Sequence, residues 1–171
     1  VGMDNEVKEV LFSLNNQSNN DIEIKCIDLS NKGSDFEFFF KEIDNKKNDD
    51  NSEVLKYLYE PNSMILKSGA FHLMCDRYNV KKLNTNSHLY TSNELINFPG
   101  RTFEVERVVN YSKRNLKDLN LSKANISTRN FSMDVKNIRK QSKILDGGDN
   151  YLFFTTNYLN EQIIIKTKKT H

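Results

Sequence analysis

An α+β fold is predicted by three observations: two-residue alternation near both ends of the chain, short capped helices between strands from residue 101 onward, and a large aromatic supply. Eleven Phe and seven Tyr in 171 residues, with no Trp, argue against a disordered chain, although Asn- and Lys-rich loops lower the mean hydropathy. The length suits one domain or two small ones, with enough chain to bury a core.

The chain starts Val1-Gly2 rather than with Met, which suggests a fragment. Asp4 is a candidate cap for a helix carrying Val7, Val10, Leu11 and Leu14 at helical spacing, ending in the loop Asn15 to Asn20. Asp21 to Leu29 alternates as a strand and Phe36 to Phe40 is a second, joined by Asn31-Lys32-Gly33 as a hairpin. Residues 44–53, DNKKNDDNSE, read as a polar linker. Pro61 suits the first turn of a helix whose apolar face is Ile65, Leu66, Phe71, Met74, Cys75 and Tyr78, with Gly69-Ala70 allowing close packing. Val80 to Leu83 reads as extended, His88 to Thr91 as a strand. Phe98-Pro99-Gly100 is the clearest punctuation, and a domain boundary is placed there.

From Arg101 the pattern becomes regular. Phe103 and Val105 alternate with Glu104 and Glu106 to about Val109, and Ser112 caps a helix burying Leu116 and Leu119. The stretch from Ser122 to Thr156 then supplies strand, basic helix, Gly-Gly turn and strand. Ala124 to Thr128 is the strand and Arg129-Asn130 its junction. Ser132 is the candidate cap of a helix through Ile144, with Met133, Val135, Ile138 and Ile144 on its apolar stripe. The other face carries Lys136, Arg139, Lys140 and Lys143. Gly147-Gly148 supplies positive φ for the turn, and Tyr151 to Thr156 and Ile163 to Lys166 close a hairpin. The order is β-α-β-α-β-β, with helices covering one sheet face.

Charge divides the chain where the punctuation does. The total is +2, yet 14 of 25 Lys and Arg and only 7 of 23 Asp and Glu lie from Arg101 onward, leaving that part at +7 and the first 100 residues at −5. The basic part is a candidate for a polyanionic partner, solvated surface being the plain alternative. Cys26 and Cys75 sit in apolar runs without CxxC spacing, which fits a reducing compartment. No run of 18 apolar residues and no basic-then-apolar leader occurs, so a cytoplasmic, membrane-free protein is expected.

Several separated motifs carry a resemblance. YLYEPNSMILKSGAF, NSHLYTS, FPGRTFEVE, ANISTRNF and KILDGGDNYLFFTT, in that order from Tyr57 to the end, are similar to the C-terminal part of bacterial class I S-adenosylmethionine-dependent methyltransferases that end in a small ferredoxin-like domain and a THUMP-like domain. One departure is Ser132, where that family is expected to have Pro after Arg-Asn-Phe. The resemblance implies a ferredoxin-like domain over 57–99, a basic THUMP-like β-α-β-α-β-β domain over 100–171, and in 1–56 the tail of the methyltransferase domain. The alternative places 1–56 at the start of the ferredoxin-like unit. Either way, an apolar hairpin that has lost neighbours predicts an exposed sticky surface or a covering partner, whether a catalytic domain or a second copy.

Catalysis finds no support within the chain. No Gly-rich loop follows a first parallel strand and no acidic residue ends the next, so no S-adenosylmethionine site is expected here, the cofactor belonging to the parent enzyme. Gly147-Gly148 follows a helix and precedes a strand, the reverse of a phosphate-cradling loop. His72, His88 and His171 lack metal spacing, and no nucleophile elbow occurs. RNA binding has more behind it. Arg129, Asn130, Lys136, Arg139, Lys140 and Lys143 are the candidate contacts, with Tyr111 and Phe131 as candidate stacking rings. THUMP-like modules are associated with RNA, so the resemblance points the same way. Core packing is the competing role for Phe131, and a tie to backbone carbonyls for Arg129. Glu60, Pro61 and Asn62 are assigned to a helix start or to a face toward a catalytic domain. The runner-up function is a docking or dimerisation module that does not touch nucleic acid.

Overall fold

The computed structural model describes residues 1–14, 21–30, 35–44 and 51–170. The expected loop at 15–20, the turn Asn31-Lys32-Gly33, most of the linker and His171 lie outside them.

The elements in order are β1 (Gly2–Met3), β2 (Glu6–Val7), β3 (Glu23–Cys26), β4 (Phe36–Phe39), α1 (Lys41–Asp44), β5 (Tyr57–Pro61), α2 (Ser63–Ser68), α3 (Phe71–Tyr78), β6 (Lys81–Lys82), β7 (Tyr90–Ser92), β8 (Gly100–Asn110), α4 (Lys113–Asp118), β9 (Asn125–Arg129), α5 (Val135–Ser142), β10 (Asn150–Thr156) and β11 (Gln162–Lys169). Seven strands form one sheet in the order β6-β7-β5-β8-β11-β10-β9. All neighbours in it are antiparallel except β9 and β10, whose parallel pairing is made possible by the crossover through α5. The long strand β8 pairs with β5 through Gly100 to Glu104 and with β11 through Phe103 to Asn110, so the sheet runs unbroken past Phe98-Pro99-Gly100.

Alternation along the strands gives the sheet two apolar faces. On one, α4 and α5 cover Leu152, Phe154 and Ile164 with Leu116, Leu119 and Ile138, while α2 and α3 cover Tyr59 with Ile65 and Met74. On the other, Leu58, Phe103, Phe153, Ile163 and Ile165 are covered by Leu83 and Leu89, from a segment with almost no regular structure. Ser87 at its centre donates to the Thr156 carbonyl (2.8 Å) and accepts from the Thr155 hydroxyl (3.0 Å), which satisfies polar groups that would otherwise be stranded there.

The N-terminal hairpin is as expected, with β3 and β4 paired and Cys26 opposite Phe36. It packs on α2, where the Cys26 thiol lies 3.6 Å from the Met64 carbonyl oxygen. The expected helix from Asp4 does not form. Asp4 and Asn5 adopt positive φ at the tip of the β1–β2 hairpin, and Val10, Leu11, Phe12 and Leu14 are exposed by 62, 70, 86 and 96%. Helical spacing without a surface to receive the apolar face gave no helix. The linker is also shorter than expected, because Asn51 bridges to Lys82 and the Ser52 N–H donates to the Lys82 carbonyl.

Pro61 ends strand β5 and starts no helix. Asn62 is the cap, its Oδ1 accepting from the Ile65 N–H at 3.0 Å. Gly69 terminates α2 at φ +79°, so Gly69-Ala70 breaks the expected single helix in two. Helix α5 is likewise shifted. Its cap is Asp134, accepting from the Asn137 N–H at 2.8 Å, while the Ser132 hydroxyl donates to Gln162. The helix stops at Lys143, which takes the left-handed conformation expected of Gly147-Gly148; those glycines shape the following turn, with φ +94° and +81°.

Candidate nucleic-acid interface

Helices α4 and α5 pack on the same core and on each other, because their buried residues share one sheet face. Their outward sides therefore lie together. Lys113, Arg114 and Lys117 on α4 and Lys136, Lys140 and Lys143 on and after α5 are all exposed. Among the described residues only Arg114 has an ionic partner, Asp118 at 3.9 Å. Lys113, Arg114, Lys117 and Asp118 also line an open depression of about 340 Å³. The cations of the strands are differently placed. Lys166 and Lys168 both lie 2.8 Å from Glu106, and their hydrogen bonds hold its carboxyl below the usual carboxylate range.

Arg139 leaves the expected basic face. It donates to the carbonyls of Ile144 (3.1 Å) and Ala124 (3.2 Å) and pairs with Asp146, so it clamps the end of α5 to the start of β9. Those carbonyls lie where a helix ends and a strand begins, and a five-donor fork satisfies several at once. Tyr111 and Phe131 are edge-to-face partners at 5.1 Å, and Phe131 continues onto Phe154 at 5.4 Å. The rings extend the core under α4 and α5, and Phe131 takes the packing role weighed for it.

Sequence alone points Arg129 and Glu60 to different surfaces, and the fold brings them together. The Glu60 side chain is 2% exposed. Its Oε1 accepts from Arg129 Nε (3.0 Å) and Nη2 (2.8 Å), and its Oε2 from Arg101 Nε (2.8 Å) and Nη2. Arg101 was missed as a site residue, although its place after Gly100 in FPGRTFEVE was a usable signal. Gly100 matters to the geometry: a Cβ there would overlap the Glu60 carbonyl oxygen and stand 2.9 Å from the Asn62 nitrogen. Only glycine lets β8 approach β5 this closely beside Arg101.

Strand β9 stands four places from β5 in the sheet, so the Arg129–Glu60 contact requires the sheet to curl, with Leu58, Phe103 and Phe153 on its inner face. Asn130 closes the same region. At φ +50° it donates to Asn84 Oδ1 (3.3 Å), and its carbonyl accepts from the Thr156 hydroxyl. Among the described residues no group of His, Cys, Asp and Glu is arranged to hold a metal ion, and no helix is long and apolar enough to cross a membrane. Burial pushes the Cys26 thiol up.

The strand order and the helices gathered on one sheet face define a class. Residues 57–99 match the family model of a ferredoxin-like domain and residues 100–169 that of a THUMP domain-like family, so the chain carries a ferredoxin-like domain followed by a THUMP-like domain. Among solved structures it is similar to a putative methyltransferase from Porphyromonas gingivalis W83, with a TM-score of 0.81 and 35% identity over 87% of this chain and 38% of that one. The chain thus spans under two-fifths of that relative's length. No curated protein matches it.

Proposed function

We propose that this chain is the RNA-binding accessory region of a class I S-adenosylmethionine-dependent methyltransferase, without catalytic residues of its own. The THUMP-like part holds structured RNA for a separate catalytic domain, which carries the cofactor. Likeness to the Porphyromonas gingivalis protein supports the methyltransferase context. The observation that carries the RNA reading is the shared outer side of α4 and α5, where five exposed lysines have no ionic partner among the described residues. Unpaired ammonium groups are the ones able to replace counterions on a phosphate backbone. The setting is a reducing, cytoplasmic one, which Cys26 and Cys75 in apolar runs without CxxC spacing support.

Titration with a transfer-RNA-like hairpin and a duplex at several salt concentrations tests this. Binding is expected to weaken steeply with salt, and Lys136→Gln, Lys140→Gln and Lys143→Gln together are expected to lower the salt slope by roughly 2. No salt-sensitive binding at micromolar protein, or an unchanged slope in the triple variant, overturns the reading. Arg139 is unsuited to such a test because its loss would loosen α5.

A second reading rests on the exposed Val10, Leu11, Phe12 and Leu14. Such a run of apolar side chains suits burial against a protein partner, the catalytic domain or a second copy. Sedimentation separates the two. A monomer that binds no apolar dye counts against this docking role.

A further inference from the structure

The curl of the sheet gathers more donors at Glu60 than that residue consumes. Each guanidinium spends its Nε and Nη2 on one carboxylate oxygen, which leaves the Nη1 edge of Arg101 and of Arg129 without a partner among the described residues. The two side chains are 38 and 36% exposed while the carboxylate between them is 2% exposed. The cluster is therefore cationic, with its anion inside and its free donors toward solvent. Asn62 adds a second, independent observation. The residue is 5% exposed, and its Nδ2 is a buried amide donor with no hydrogen-bond partner among the described residues. The Asn62 N–H donates to the Pro99 carbonyl at 3.1 Å, which holds the residue beside Gly100 and Arg101. A buried donor left unsatisfied is rare in a folded protein and marks a place where a further acceptor fits.

We propose that Arg101, Arg129 and the Asn62 amide, held in place by Glu60, form a receptor for a phosphate group. Forked guanidinium donors match the oxygens of a phosphate in spacing and charge. The buried Glu60 holds the two forks in position before the ligand arrives. Resting on the RNA reading above, the phosphate is one of an RNA backbone, anchored at a point apart from the lysines of α4 and α5. Free phosphate is the other source with the same chemistry.

Inorganic phosphate, titrated into the whole chain and followed by nitrogen-15 NMR of the Asn62 amide and the arginine Nε–H groups, tests the receptor. Saturable shifts at millimolar phosphate are expected, with none from chloride at equal ionic strength. Asn62→Asp preserves the oxygen that caps α2 but replaces the donor by a negative charge, and should weaken phosphate binding at least ten-fold. Arg129→Lys keeps a cation on Glu60 while losing the second edge, and should weaken it several-fold. Absence of saturable shifts, or equal affinity in folded Asn62→Asp, overturns the proposal. RNA titrations identify the source. A five-fold or greater loss of RNA affinity in Asn62→Asp supports backbone phosphate, whereas unchanged RNA affinity beside lost phosphate binding supports free phosphate. If the wild-type chain binds phosphate but no RNA, the receptor stands and the RNA reading falls.

Discussion

Arg139 shows how one side chain's role depends on what surrounds it. Its position on a basic helix made it a candidate RNA contact, yet its guanidinium is spent on two carbonyls and Asp146. Arg139→Ala should cost about 2 kcal/mol in urea unfolding, because it strands carbonyls at the α5–β9 junction. Arg139→Lys should recover only part of that, since an ammonium lacks the fork. Glu106 offers a pH test. Hydrogen bonds from Lys166 and Lys168 lower its folded pKa, so its contribution is present above the ordinary glutamate range and lost as pH falls through the lowered value. Glu106→Gln should therefore flatten the decline of stability on the acid side of about pH 4, by no more than about 1 kcal/mol at neutral pH. Acid titration of the melting temperature in both proteins checks it.

At the scale of elements, the corrections concern where helices begin and end. Asp134→Ala should cost about 1 kcal/mol in chemical denaturation, whereas Ser132→Ala should cost clearly less, because Asp134 and not Ser132 accepts from the first turn of α5. The boundary was only approximately legible because Ser132 and Asp134 are both good caps, and the choice falls to the residue whose backbone turns at the right place. Lys143 in the left-handed region was not legible at all, since glycines four and five residues later advertised the stop. The strands from β8 to β11 were readable because alternation is a local property. The N-terminal segment failed for the opposite reason: a helical stripe on Val7, Val10, Leu11 and Leu14 forms a helix only where something receives it.

Across the whole molecule, the ferredoxin-like and THUMP-like parts share a sheet. Strand β8 holds β5 on one side and β11 on the other, and the segment containing Leu83 and Leu89 covers Phe153, Ile163 and Ile165 from the later part. Calorimetry of the chain should thus show one transition for residues 51–170. A chain starting at Gly100 should lack a sharp transition, because it would expose that face and lose the partner of half of β8. Independent unfolding of the two parts would contradict this coupling.

The sequence by itself determined the α+β class, the β-α-β-α-β-β order after Arg101, the β3–β4 hairpin and the concentration of positive charge, all of which follow from local periodicity, turn residues and counting. It also presented Glu60-Pro61-Asn62 and Arg129-Asn130 as notable stretches. Only the tertiary structure decided that they meet. Glu60 and Arg129 are 69 residues apart and four strands apart, and no local pattern encodes the curl that closes that distance. The curl arises from the accumulated twist of seven strands, a close β5–β8 approach that requires Gly100, and a loop segment filling the inner face, so the cluster is a property of the folded sheet as a whole.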